Sequence, residues 1–426
     1  MLTTFDLMDF VTNYFKKRSY SPTLLDQPHP DLNICLAIPC YDEPDLVRTL
    51  QTIWDCTRPQ KAVEVIVVLN SSENAQAKSI IQNLTSLSEG IEWAKYHHDQ
   101  KLRFHFLNRP NLPNKFAGVG LARKIGMDEA VWRFSQVNNP KGIIAGFDAD
   151  SLCDTNYLIE IERHFLQHPK SDGASIYFEH PISGKEFSDS IYERIIQYEL
   201  HLRYMNQALR YAGHPHAFHT VGSSFAVRMD AYVKQGGMNK RQAGEDFYFL
   251  QKIISLENFT EINSTHVIPS PRESDRVPFG TGAAMRLLES NEEVELKTYS
   301  LKSYIDLKGF FDEIPNFYEA DKKTIENYHG GLPYPLKTFL SENQFINQLA
   351  SIQSNVSSPE TFRDRFFRWF NAFKVIKYLN YYHTEKCEKQ NVSAEAGNLL
   401  SLMEKIPPKG AKNLLEVYRT LDRKGI

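Results

Sequence analysis

The fold class this sequence predicts is α/β with a central, mainly parallel sheet, and three observations predict it. Short apolar runs at residues 34–39, 63–69, 103–107 and 143–147 read as buried strands. Helical stretches at 43–56 and 117–134 alternate with them, as crossover connections between parallel strands require. Polar residues gather directly after the runs, in PCYDEP, LNSSEN and FDADSLCD, and ligands of such sheets bind beyond the carboxyl ends of the strands.

Taken in order, Phe5, Met8, Val11, Tyr14 and Phe15 fall at helical spacing and predict a short amphipathic helix, followed by a Pro-containing link over 21–30. Residues 1–30 are thus expected to be an N-terminal helical extension packed on the main body. After the last of the four strand-like runs, 188–211 reads as a long helix, and AGHPHAFHTVGSS as a turn. Next come a strand at FAVR, a helix or turn to Gly237, a helix led by Gly244-Glu245-Asp246, and a strand running into VIPSPRESDRVPFGTG. Beyond about Ala283 the pattern is helical without strand alternation, so the predicted domains are 31–283 for the sheet-bearing body and 284–426 for a mainly helical C-terminal region.

Composition narrows the function classes. The chain has 426 residues, 42% hydrophobic and 24% charged, with a net charge of −3, so neither a polyanion-binding surface nor a disordered tail is indicated, and no nucleic-acid partner is expected. The five cysteines, Cys35, Cys40, Cys56, Cys153 and Cys387, are scattered, without a disulfide or zinc pattern, which suits a reducing cytoplasm. The N-terminus carries acids inside its apolar stretch and lacks a signal-peptide cleavage site. No run of about 18 apolar residues marks a transmembrane segment.

Two motifs carry chemistry. In IIAGFDADSLCD an apolar strand ends in Asp148-Ala149-Asp150. Two carboxylates one residue apart at a strand end can converge on a hard divalent cation, which in turn can bridge a diphosphate; the alternative is a solvated turn or helix cap. In AGEDFYFLQKI, Glu245 and Asp246 open an amphipathic helix. An acidic cap favoured by the helix dipole accounts for one acid. A general base for an acceptor hydroxyl accounts for the second.

With these residues on the page, the section from about Asn33 to Gly282 resembles glycosyltransferase family 2, whose members have the GT-A fold. Pro39, Tyr41 and Glu43 are similar to its first-strand P-x-Y-x-E signature beside the nucleotide, with Asp42 where Asn is more usual. Gly120, Ala122, Arg123 and Gly126 are similar to its glycine-rich helix start, with Lys124 in place of Asn. Asp148 and Asp150 match the D-x-D, residues 221–228 its G-x-x-x-x-x-R strand, and Glu245-Asp246 its E-D pair. The shared order of these elements makes the match specific. The resemblance implies a nucleotide-sugar donor, Mg²⁺ or Mn²⁺ held by Asp148 and Asp150, and Asp246 as base beside Glu245 in an inverting transfer. It further implies donor contacts from Pro39, Tyr41, Glu43, Asn70, Arg123, Asp148, Arg272 and Arg276.

The chain also departs from the family. After the second strand Asn70, Ser71 and Ser72 replace the acids that hold the base, and an amide can still bond a base edge. Near the diphosphate position stand Arg272 and Arg276, whose guanidinium groups suit phosphate; surface pairs with Glu273 or Asp275 are the alternative. His266 reads as a packed or exposed strand residue rather than a third metal ligand. His214, His216 and His219 read as loop or acceptor-site residues rather than zinc ligands, since no Cys or acidic cluster accompanies them. In the C-terminal region, FRDRFFRWFNAFKVIKYLNYYH places Phe362, Phe366, Trp369, Phe373, Ile376 and Leu379 near one helical face with Arg363, Arg365, Arg368, Lys374 and Lys377 about it. Burial of that face is the ordinary reading. Peripheral membrane contact, suited to a lipid-linked rather than a free carbohydrate acceptor, is the other.

The expected activity is therefore transfer of a sugar from a nucleotide sugar to an acceptor hydroxyl. A sugar-phosphate nucleotidyltransferase would need a basic glycine-rich loop where acidic CYDEP stands. A non-catalytic sugar-nucleotide-binding protein would bind donor without turnover.

Overall fold

The structure, a computed structural model, describes residues 4–18, 20–97, 99–242, 244–274, 280–289, 295–385 and 387–425. The chain divides into two compact units. One comprises Met1–Tyr192, Thr220–Leu287 and Asp422–Ile426, and the other Glu193–His219 and Leu288–Leu421. The N-terminal segment belongs to the first unit, and the middle of the chain lends the second unit one segment.

Up to residue 289 the elements are α1 (Thr4–Arg18), β1 (Leu32–Cys40), α2 (Leu46–Trp54), β2 (Ala62–Ser72), α3 (Ala77–Lys95), β3 (Leu102–Leu112), α4 (Val119–Gln136), β4 (Ile143–Gly146), β5 (Leu152–Cys153), α5 (Tyr157–Gln167), β6 (Gly173–Phe178), α6 (Asp189–Tyr211), β7 (Phe225–Arg228), α7 (Met229–Lys234), α8 (Glu245–Ile254), β8 (Phe259–Ile268) and α9 (Thr281–Glu289). Eight strands form one sheet in the order β3-β2-β1-β4-β7-β6-β8-β5. β1 runs parallel to β2 and β4, β2 to β3, and β6 to β8, whereas β7 is antiparallel to β4 and β6, and β5 to β8. The α/β class with a mainly parallel sheet is thus observed.

The apolar runs explain the middle of this sheet. Every residue of β1 is buried, and Ile34, Leu36, Ile38, Val65 and Val67 are wholly enclosed. Each such side chain contributes roughly 1.5–3 kcal/mol relative to exposure. Pro39 is tolerated inside β1 because pairing with β4 ends at Ala37 and Gly146, so its missing N–H interrupts no ladder bond on that side. With the pairing of β1 and β4 ended, Asp148-Ala149-Asp150 lies outside the ladder, just past the carboxyl end of β4.

Four elements escaped the sequence reading: α3, β5, α5 and β6. For α3 the reason is physical, because its amphipathic sense is inverted. The buried positions are Ser79, Asn83, Ser86 and Gly90, while Ile81 and Leu84 are exposed.

The N-terminal segment is held to α4 by polar groups. Tyr14 and Tyr232 hydroxyls donate to Asp128 Oδ1 at 2.6 and 2.7 Å, and Lys124 Nζ donates to Asp128 Oδ2 at 2.7 Å. Glu129 accepts the Thr23 and Leu24 N–H groups at 2.8 and 2.6 Å. Lys124, where the family more usually has Asn, is therefore a packing residue here.

The second unit is mainly helical: β9 (Lys297–Thr298), α10 (Leu301–Asp312), α11 (Lys322–Gly331), α12 (Tyr334–Glu342), α13 (Phe345–Gln353), α14 (Pro359–Trp369), α15 (Ala372–Glu385), β10 (Gln390–Asn391), α16 (Val392–Leu402) and α17 (Ala411–Lys424). The aromatic stretch read as one helix is two, broken at Phe370-Asn371. Phe366, Phe367 and Phe370 are buried against Phe310 and Phe311 of the same unit, and Phe362 is buried against Tyr318. Among the described residues no helix is long and apolar enough to cross a membrane.

Candidate active site

Two arginine-centred clusters meet at the segment Asp148-Ala149-Asp150. The first is built on Arg123, in the first turns of α4, whose side chain is only 2% exposed. Its Nη2 donates to Asp148 Oδ1 at 2.5 Å and its Nη1 donates to Glu245 Oε1. Room for the guanidinium comes from Gly222, the glycine of the G-x-x-x-x-x-R segment. A methyl group there would stand 2.9 Å from both terminal nitrogens.

Asp246 follows Glu245 in the first turn of α8, is half-buried, and accepts the Phe247 N–H at 2.7 Å. Asp148, Glu245 and Asp246 therefore surround a single guanidinium, and carboxylate charge is in surplus. Burial disfavours the Arg123 cation, but Asp148, Glu245 and Asp246 outweigh it and hold its pKa above the ordinary arginine value. Burial is also the largest effect on Glu245 and pushes its carboxyl up to about 7; Arg123 pulls it down, and Asp246 and Asp148 push it further up. Asp246 is raised too, first by burial, against the pull of Arg123. Carboxyls raised in this way suit proton transfer.

The second cluster is built on Arg272. Its Nη1 donates to Glu43 Oε1 at 3.0 Å, its Nη2 donates to Glu43 Oε2, and Nη2 also lies 3.0 Å from Asp150 Oδ2. Burial lowers the proton affinity of Arg272, but Glu43 and Asp150 more than restore it. The Glu43 side chain is 1% exposed and also accepts the Asp45 N–H, so it faces Arg272 rather than open space.

The other expected donor residues stand at neighbouring strand ends. Tyr41 follows β1 and is half-buried, and Pro39 lies within β1. Asn70 is buried near the end of β2, where its carbonyl accepts from Asn83 Nδ2 at 2.8 Å. Asn83 Oδ1 in turn accepts the Asp42 N–H at 2.8 Å, Ser79 Oγ donates to Asp42 Oδ2 at 2.9 Å, and Ser86 Oγ donates to the Glu43 carbonyl at 2.6 Å. Asp42 itself has φ of 52°, a left-handed conformation that Asp and Asn both tolerate. The polar face of α3 thus ties the ends of β1 and β2 together, and no local sequence signal announced it. Arg276 lies outside the described residues.

Two of the histidines singled out in the sequence, His266 and His214, sit apart from this chemistry. His266 Nδ1 is 2.5 Å from Asp154 Oδ2, and its backbone N–H donates to the same oxygen, a structural pairing. His214, in the second unit, accepts the His216 N–H at Nδ1 and donates from Nε2 to the Phe370 carbonyl at 2.9 Å. Burial pulls its pKa down to about 3, so it is a neutral packing residue.

A divalent cation fits the donor chemistry of the first unit. Asp148 and Asp150 offer the carboxylate oxygens that Mg²⁺ and Mn²⁺ prefer, with side chains 35% and 27% exposed. Among the described residues no three His, Cys, Asp or Glu side chains assemble as a ligand set. Such a cation would complete its shell with diphosphate and water oxygens, the usual mode for Mg²⁺.

No protein-family model matches the chain, and no curated protein matches it. Among solved structures it is similar to S. aureus TarS 1-349 in complex with UDP-GlcNAc, with a TM-score of 0.40 and 13% identity over 79% of this chain and 91% of that one. It is also similar to the mannosyltransferase PcManGT from Pyrobaculum calidifontis in complex with GDP-Man and Mn²⁺, with a TM-score of 0.34 and 13% identity over 98% and 95% of the two chains. A mycobacterial protein matches at a TM-score of 0.31 and 14% identity, over 66% and 85%. Likenesses this distant carry no functional argument, and the chemistry rests on the side chains themselves.

Proposed function

We propose that the chain is a metal-dependent glycosyltransferase that moves a sugar from a nucleotide-sugar donor to an acceptor hydroxyl with inversion, as its resemblance to glycosyltransferase family 2 implies. The observation that carries this reading is the surplus of carboxylates around Arg123, where the D-x-D and E-D segments come together from distant parts of the chain.

Asp148 and Asp150 would hold Mg²⁺ or Mn²⁺, which when bound offsets the charge gathering on the leaving nucleoside diphosphate. Arg272, oriented by Glu43, presents its guanidinium to phosphate oxygens beside Asp150. Tyr41, Pro39 and Asn70 line the nucleoside side of the strand ends. Asp246 takes the proton from the attacking hydroxyl. Arg123 holds Asp148 and Glu245 together and balances part of the charge around the base at the donor side of the site. A nucleotidyltransferase is disfavoured because Glu43, in the position where such an enzyme needs a basic triphosphate loop, is committed to Arg272.

Product formed from an α-linked donor should carry a β linkage by nuclear magnetic resonance, and a retained anomer would remove Asp246 as inverting base. Asp246→Asn should reduce turnover about 10²–10⁴-fold, the ordinary scale for losing a general base, without lowering donor affinity. Undiminished turnover in that variant would overturn the assignment.

A further inference from the structure

Two cysteines far apart in sequence meet immediately beyond the D-x-D segment. Cys56 follows the C-terminus of α2, Cys153 ends β5, and their Sγ atoms are 3.7 Å apart with both side chains buried. The surrounding bonds hold them there. Thr52 Oγ1 donates to the Cys153 carbonyl at 3.2 Å, Thr49 Oγ1 donates to the Ala149 carbonyl at 2.8 Å, and the Thr57 N–H donates to the Thr155 carbonyl at 2.7 Å. α2 is thereby stitched along the segment from Ala149 to Thr155, with the sulfur pair within the seam.

We propose that Cys56 and Cys153 form an oxidisable dithiol, which an oxidant of the peroxide class converts to a disulfide joining α2 to β5. The sulfurs must approach by about 1.7 Å to reach bonding distance of roughly 2.05 Å, a movement within the reach of side-chain rotation and a small slide of the seam. In the first step the Cys56 thiol gives up its proton, the thiolate attacks one peroxide oxygen, the O–O bond breaks, and a sulfenic acid forms as the leaving hydroxide takes up that proton and departs as water. Cys153 sulfur then attacks that sulfenic sulfur, the S–O bond breaks, and a second water leaves with the Cys153 proton; two thiols are oxidised as one peroxide is reduced. Cys56 is the nucleophile of the two. A hydrogen bond from Cys153, then the Leu158 N–H and Arg58, lower its pKa against burial, whereas the hydrogen bond with Cys56 and burial raise that of Cys153. The proposal is independent of the sugar-transfer reading, although the disulfide would stiffen the segment that carries Asp148 and Asp150.

The test treats the full folded chain with hydrogen peroxide, blocks remaining thiols with an alkylating agent, and maps peptides without reduction. Cys387, which is partly exposed, reports in the same sample that oxidant is active. The expected result is a linked peptide carrying Cys56 and Cys153, lighter by two hydrogens, reversed by dithiothreitol and absent in Cys56→Ala. Amide hydrogen exchange over residues 148–155 should slow in the oxidised protein. Recovery of both Cys56 and Cys153 as free thiols once Cys387 is fully oxidised would overturn the proposal. The peptide map of the unsubstituted chain stands whether or not Cys56→Ala folds.

Discussion

Helix α4 carries two buried arginines ten residues apart, and their surroundings teach how the same side chain can lock one carboxylate in one place and be shared among several in another. Arg133 is matched. Its Nε and Nη2 donate to the two oxygens of the buried Glu64 at 2.6 Å each, its Nη1 donates to the Asp26 carbonyl at 2.6 Å, and the exposed Asp26 carboxylate lies 3.2 Å from Nη1 and Nη2. Burial alone would raise Glu64, but His105 and Arg133 overcome it and hold the carboxyl at about 2. Arg123 is outnumbered. It faces Asp148, Glu245 and Asp246, and Glu245 is left near 7. A buried carboxylate held by two arms of one arginine has its charge locked, whereas carboxylates that share one buried guanidinium leave Glu245 a proton to exchange near neutral pH.

The largest effect is expected from breaking the pair of Arg133 and Glu64. Arg133→Met leaves Glu64 buried without its cation and should destabilise the fold by about 3–5 kcal/mol in denaturant unfolding. Donor affinity of the protein that remains folded should be unchanged, and a loss there would mean that the two clusters are coupled.

The next effect is in the sign of the pH dependence. Glu64 has a folded pKa of about 2, below its ordinary 4.5, so its contribution is present above pH 4.5 and is lost as pH falls toward 2. Glu245 is raised from 4.5 to about 7, so its folded form is favoured at low pH, and stability declines between pH 4.5 and 7 before levelling. Each slope approaches about 1.4 kcal/mol per pH unit at most. Unfolding free energies measured across pH should show the acid limb flattened in Glu64→Gln and the neutral limb flattened in Glu245→Gln. The same limb in both variants would contradict the contrast.

A smaller effect is expected at Gly244, which precedes α8 with φ of 66° and has open space about its Cα. Gly244→Ala should cost about 1 kcal/mol through backbone strain alone, shift the helix start that carries Glu245 and Asp246, and leave the Arg133 cluster untouched. An unaltered unfolding midpoint would remove the strain argument.

The contrast also marks what the sequence disclosed. Asp148, Asp150, Glu245 and Asp246 were legible because each sits at an element end within a local pattern, and the strands of the sheet were legible because both faces are apolar. Arg123 and Glu43 were legible as motif members but not in their tasks, since those depend on partners far away: Glu43 and Arg272 are separated by 229 positions. Arg133 gave no signal, because a lone arginine in a helix reads as solvated until Glu64 is seen beside it. α3 stayed hidden for the converse reason, its small polar residues facing inward to hold the ends of β1 and β2.

The central claim is that Asp148 and Asp150 form the donor side of the site through a divalent cation. Equilibrium titration of UDP-GlcNAc, GDP-mannose and related nucleotide sugars, with and without Mn²⁺, into the unsubstituted protein and Asp150→Ala tests it most directly. The account predicts metal-dependent binding of at least one donor and loss of that dependence in Asp150→Ala with the fold intact. Metal-dependent donor binding that survives unchanged in Asp150→Ala would contradict it.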